Sequence, residues 1–169
     1  MKRLVLLFAV AILAGGCGNQ DANSMPTKAS AKMDHLQEGV EFLKASNPVE
    51  AIHSFDEAIK QDPLNPTGYV VLGQTYMRMG QYDRAIDSFS AATRVAPQQG
   101  EIYYLLAVSH GLAGNRQDAI ENAQVSIGLF QNAKDEENLI KAVALLRGLT
   151  EGQEVPQGDM SQMQAGQSL

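Results

Sequence analysis

The sequence predicts an all-α fold made of repeated helix pairs closed by one further helix, and three observations predict it. The chain repeats at a period of 34 residues: Pro63 and Pro97 are one period apart, as are Gly39 and Gly73, Phe42 and Tyr76, Ala51 and Ala85, Phe55 and Phe89, and Ala58 and Ala92. Within each period the apolar residues recur at three and four, which is the spacing of one helix face. Composition agrees, since aromatic residues are only 6%, Trp is absent, and Gly and Pro cluster at separated points.

Residues 1–16 read as an export signal. Lys2 and Arg3 form the positive end, Leu4 to Ala14 is a continuous apolar run, and Gly15-Gly16 follow. The run is shorter than the roughly 20 apolar residues that a membrane-spanning helix needs. The only cysteine, Cys17, comes directly after it. The string Leu13-Ala14-Gly15-Gly16-Cys17 resembles the lipobox of bacterial lipoproteins, with one departure: Ala14 stands where that family usually has Leu. The resemblance implies lipidation of Cys17, cleavage before it and a membrane-anchored mature chain. Gly18 in place of Asp implies the periplasmic face of the outer membrane in a Gram-negative host. The open alternative is an ordinary signal peptide followed by a stray thiol. Cleavage would remove Lys2 and Arg3 and no acidic residue, taking the formal charge from -6 to -8. Such an acidic chain offers no basic face for phosphates, so nucleic acid is not an expected partner.

Residues 17–31, with the sequence GNQDANSMPTKASA after the cysteine, are small, polar and aperiodic, the composition of a flexible tether. Three repeats are expected over 32–131, at 32–65, 66–99 and 100–131. In the second, Asn65-Pro66 supplies an N-cap and a first helical residue with its φ already set. Tyr69, Leu72, Gly73 and Tyr76 form one stripe, and Gly80 ends the helix where positive φ is easiest. A second helix is expected from Tyr82 to Val95, burying Ala85, Ile86, Phe89 and Ala92, with Pro97 stopping it. Gly73 and Ala85 leave room for close backbone approach, so a larger side chain at either should overpack the pair.

These residues carry a resemblance. Tyr69, Leu72, Gly73, Tyr76, Ala85, Phe89, Ala92 and Pro97 are similar, position by position, to the tetratricopeptide repeat, with Tyr for the usual Trp. The first row follows the pattern from Gly39 onward, although His35 and Glu38 stand where the family has large apolar residues, and Asn47-Pro48-Val49-Glu50 reads as a helix cap. The third row continues with Tyr103, Leu106, Ala107, Gly114 and Ala119, then departs: Ala123 replaces the Phe, Ser126 the Ala and Gln131 the Pro. The resemblance implies a right-handed superhelical array of helix-turn-helix pairs with a C-terminal capping helix. Residues 132–150 fit that cap, as a helix from Lys134 to Leu149 with Leu139, Val143, Leu146 and Leu149 on one face. Residues 151–169, rich in Gln, Gly, Ser and Met without period, read as a disordered tail.

Nothing in the sequence assembles into a catalytic site. His35, His53 and His110 are dispersed without metal-ligand spacing, Ser88, Ser90 and Ser109 lack a nucleophile elbow, and there is no phosphate-binding glycine loop. The acidic cluster Asp135-Glu136-Glu137 opens a helix, where it offsets the N-terminal dipole. A non-enzymatic protein without metal or cofactor is therefore expected.

Binding is implied by the resemblance, through a concave groove lined by the first helix of each pair. The family's groove positions fall on Met33, Leu36, Val40, Leu43 and Lys44, then Thr67, Val70, Gln74, Met77 and Arg78, then Glu101, Tyr104, Val108 and Leu112. Leu36 and Val40 replace the Lys and Asn with which some members clamp a C-terminal carboxylate. A largely apolar groove with flexible methionines suits the apolar face of a peptide or helix from another envelope protein. The expected function is an adaptor or scaffold assisting assembly of an envelope complex in pilus, secretion or cell-wall machinery. Two readings stay open beside it: several groove residues belong to the core, or the chain is a self-associating lipoprotein or an accessory subunit of an envelope enzyme.

Overall fold

Helix periodicity and capping residues set the boundaries of the elements seen in the computed structural model, which describes the backbone of residues 28–152 and the side chains of residues 35–152. The export signal, Cys17, the tether as far as residue 27 and the tail from 153 lie outside the described residues, as does the side chain of Met33. Seven helices are described: α1 (Lys28–Lys44), α2 (Pro48–Gln61), α3 (Pro66–Arg78), α4 (Tyr82–Val95), α5 (Gly100–Leu112), α6 (Arg116–Ala133) and α7 (Glu136–Glu151). All regular structure among these residues is helical, and α4 spans the stretch its periodicity predicts. None of these helices is long and apolar enough to cross a membrane.

The turn inside each pair repeats a single hydrogen-bond pattern. After α3 the amide of Gln81 donates to the Tyr76 carbonyl at 2.9 Å and that of Gly80 to Met77 at 3.0 Å, with Gly80 at φ 69°. After α5 the same bonds run from Asn115 to His110 and from Gly114 to Gly111, with Gly114 at φ 84°. This is the Schellman closure, which needs a left-handed residue and so favours glycine. The first pair builds it with Ser46, at φ 61°, in the glycine's place. Lys134 ends α6 in the same way at φ 57°.

Lys134 is therefore not the first residue of the last helix. That helix starts at Glu136 and runs to Glu151. Its cap is Asp135, whose carboxylate accepts from the Asn138 amide at 3.1 Å and from the Asn138 side chain at 2.8 Å. Asn65 caps α3 as expected, accepting from the Thr67 amide at 3.0 Å. Asn47 does not cap α2 through its side chain. Its backbone sits at φ -110°, ψ 73°, held there by the Schellman bond from its own amide to Phe42. At the other end, α1 begins at Lys28, four residues inside the segment read as tether.

The core is a row of three apolar clusters, each shared by successive pairs. Ala51, Phe55 and Leu72 form the first, with Leu36, Leu43 and Tyr76 packed on it. Met77, Ala85, Phe89, Ala92, Ile102, Leu105 and Leu106 form the second. The third joins Ala107, Ala119 and Ala123 to Leu145 and Leu149 of α7. Each cluster thus joins residues of consecutive first helices: α1 and α3, α3 and α5, and α5 and α7. This is the side-by-side order of a repeat solenoid.

Close approach within a pair depends on glycine facing phenylalanine. A methyl group added at Gly73 would lie 2.7 Å from the Phe89 ring, and one at Gly39 would overlap the Phe55 ring. The third pair solves the same contact differently, with Ala107 and Ala123 in the two places. The volume of the missing ring is taken by the leucines of α7. The departure of the third repeat from the pattern is thus what seats the cap. The buried face of that cap is Ala142, Leu145 and Leu149. Val143, expected on that face, is 41% exposed, and Leu139 and Leu146 lie half-buried along its edge.

Candidate interaction groove

The positions that the resemblance assigns to a groove lie along α1, α3 and α5, spaced so that each set shares one helix face. Their burial divides them into a floor and a rim. Leu36 and Leu43 are half-buried against the first cluster, Val70 and Leu112 against the second, and Tyr104 against the third, while Val108 touches both of the last two. The exposed members are Val40 (37%), Lys44, Thr67, Arg78 and Glu101, and Gln74 lies half-buried between them.

One assignment is corrected. Met77 is 3% exposed and belongs to the core beside Ala85, Phe89, Ile102 and Leu105, so no partner can reach it. Its position follows groove spacing, but α4 and α5 close over it. The apolar content of the surface is correspondingly smaller than the sequence suggests. What remains is a half-buried aliphatic floor edged by Lys44, Arg78 and Glu101, with Lys44 already bonded to Glu41 at 2.8 Å.

A second concavity was not legible in the sequence. It is an open depression of about 640 Å³ between the turn that follows α3 and the end of α5, lined by Gly80, Gln81, Tyr82, Asp83, Arg84, Leu112 and Ala113. Arg84 lies 5.6 Å from the centre of the Tyr76 ring and bonds Gln81 at 3.1 Å, so the guanidinium is held over an aromatic face. No motif marks this place, because its two walls come from different repeats.

The titratable groups describe a structural surface. Among the described residues no three His, Cys, Asp or Glu side chains converge as metal ligands. His35 bonds Glu38 at 3.1 Å on the outside of α1, which explains how polar residues occupy apolar places of the first repeat. His110 is mostly buried, with its Nδ1 unbonded and 3.8 Å from Asp118. A hydrogen bond from Lys60 holds the Glu57 carboxyl below its usual range, and one to Glu137 holds Lys141 above its usual value. Partial burial pushes the Asp56 carboxyl up. These are local helix-surface effects.

The architecture is therefore a superhelical array of antiparallel helix pairs with an added terminal helix, the class of scaffold that tetratricopeptide repeats build. Residues 42–108 match the family described as tetratricopeptide repeat. Superkiller complex protein 3 of Homo sapiens is 27% identical over 122 residues, which is 72% of this chain and 7% of that protein. Small glutamine-rich tetratricopeptide repeat-containing protein 2 of Mycosarcoma maydis is 29% identical over 98 residues, 57% of this chain and 28% of that one. The chain thus spans only a small part of the length of these relatives.

Solved structures agree on the fold. The complex of PcrH with the chaperone binding region of PopD superposes with a TM-score of 0.68 at 18% identity, covering 73% of this chain and 94% of that one. The Yersinia enterocolitica type III secretion chaperone SycD with a peptide of the translocator YopD gives 0.67 at 17% identity, covering 72% and 94%. The TPR2B domain of yeast Sti1 in its pHsp70 complex gives 0.67 at 16% identity, covering 72% and 98%.

Proposed function

We propose that the chain is a non-enzymatic adaptor, lipid-anchored through Cys17 in the bacterial envelope, whose first helices bind an apolar peptide or helix of another envelope protein and assist assembly of a complex. The observation that carries this reading is the surface along α1, α3 and α5, where half-buried Leu36, Val70, Tyr104 and Val108 form a floor between exposed polar residues. An apolar strip with a polar rim suits an amphipathic segment. The superposition on PcrH with the chaperone binding region of PopD, and on SycD with a peptide of the translocator YopD, supports a peptide as occupant. Leu36 and Val40 leave no cationic clamp for a terminal carboxylate, so an internal apolar segment fits better than a charged chain end. The anchor rests on the apolar run at Leu4–Ala14 and on Cys17, and the outer membrane as destination rests on Gly18.

The test is a crosslinking pull-down from membranes with Val40→Glu, Gln74→Glu and Arg78→Glu, all reachable from solvent and none filling the core. Loss of the same captured protein in these variants, with helicity retained, is the expected result. An unchanged captured set would rule the groove out. Cys17→Ser should release the chain from the membrane fraction and remove the acyl mass from its N-terminus. Retention of either would rule out the anchor alone.

A further inference from the structure

The last helix presents a stripe that nothing among the described residues covers. Glu136, Ile140, Val143 and Arg147 follow one another at intervals of four, three and four, the spacing that keeps a seam on one side of a helix facing a partner. All four are exposed, Ile140 by 70% and Val143 by 41%, and they lie away from the Ala142, Leu145 and Leu149 face that packs on the array. Half-buried Leu139 and Leu146 widen the apolar band on one side. Elsewhere the large exposed apolar residues, Val40, Val49, Leu64, Met79 and Val125, each sit on a different element and make no band. Helices α1 to α6 are paired in sequence, whereas α7 has no following helix among the described residues.

The charges at the two ends of this stripe are opposite. Glu136 precedes the apolar pair and Arg147 follows it, and neither takes part in an ion pair among the described residues; Lys141 is engaged by Glu137 at 2.9 Å on another side of the helix. A stripe ordered acidic, apolar, apolar, basic is complementary to its own reverse. With a twofold axis between positions 141 and 142, antiparallel packing of two such helices sets Ile140 against Val143 of the second copy and Glu136 against its Arg147, each contact made twice. Parallel packing would instead oppose like charges.

We infer that α7 is a self-association surface, through which two copies of this chain pair by antiparallel packing of the Glu136, Ile140, Val143 and Arg147 stripe. The contact does not use the groove positions on α1, α3 and α5, and it holds or fails independently of what those bind.

Self-complementarity supplies the test. Sedimentation equilibrium of the full chain in density-matched mild detergent should show a concentration-dependent dimer. Glu136→Arg alone and Arg147→Glu alone each create two like-charge contacts and should weaken association at least tenfold. The double variant Glu136→Arg/Arg147→Glu regenerates both ion pairs with reversed polarity and should return association to within threefold of the original. Ile140→Ser should weaken it without loss of helicity by circular dichroism. A full chain that stays monomeric overturns the inference, including the case in which deleting residues 153–169 reveals a dimer, because the tail would then be the occupant. A dimer indifferent to the single reversals, or one the double reversal fails to restore, overturns it equally.

Discussion

Replacing Gly73 by alanine adds one methyl group to the middle of α3, and two effects of opposite sign compete. In an unobstructed helix the change is favourable by about 1 kcal/mol, because glycine loses more backbone freedom on folding. Here the added carbon would stand 2.7, 2.8 and 2.9 Å from three atoms of the Phe89 ring. That ring is 0% exposed and has no free end to swing away, so relief requires α3 and α4 to move apart. Overpacking of this kind costs about 1–3 kcal/mol. The net expectation is a loss of up to about 2 kcal/mol by urea unfolding followed by far-UV circular dichroism. Gly128→Ala on α6 is the control, since no heavy atom lies within 4 Å of the added carbon, and it should gain about 0.5–1 kcal/mol. Phe89→Ala should lose about 3–5 kcal/mol, and the double variant Gly73→Ala/Phe89→Ala should lose less than the sum because the methyl enters vacated space. A Gly73→Ala protein as stabilised as Gly128→Ala, or strict additivity in the double variant, would refute the packing argument.

Three further outcomes follow from local geometry. Ser46→Gly removes a left-handed conformation from a residue with a side chain, at the place where the other two pairs carry Gly80 and Gly114, and should raise stability by about 0.5–1 kcal/mol in the same assay. Ala123→Phe restores the ring of the repeat pattern, but Leu145 and Leu149 already fill that space, so it should cost about 1–3 kcal/mol and expose α7 to limited proteolysis. Asp135→Ala removes the α7 cap and should lower the thermal midpoint at neutral pH. Hydrogen bonds from Asn138 hold the Asp135 carboxyl below its ordinary value. Its contribution is therefore complete above about pH 4 and lost as pH falls through the depressed folded value, so parent and variant should converge in strongly acidic solution.

Much of the fold was legible because it rests on local rules. Asn65-Pro66 and Gly80 mark the two ends of α3, and the cap bond and the positive φ occur there. Gly73 and Ala85 announced a close crossing, and the structure sets Gly73 against the Phe89 ring. Less of the groove was legible. Met77 obeys groove spacing along its own helix, yet α4 and α5 bury it. Asn47 has the residue type of a cap, but the closure of the preceding turn fixes its backbone in a geometry that aims the side chain elsewhere. In α7 the apolar residues run wider than one contact face, so periodicity did not distinguish Val143, left outside, from Leu145, taken inside.

By itself the sequence determined the 34-residue unit, the ends of α3 and α4 and the close approach at Gly73 and Ala85, because each depends on neighbours within one helix pair. Only the tertiary structure decided which apolar residues are floor, core or uncovered stripe. It also revealed that the alanines of the third repeat make room for the leucines of α7. Burial depends on which helix lies across a face, and period along one helix names the face without naming what covers it.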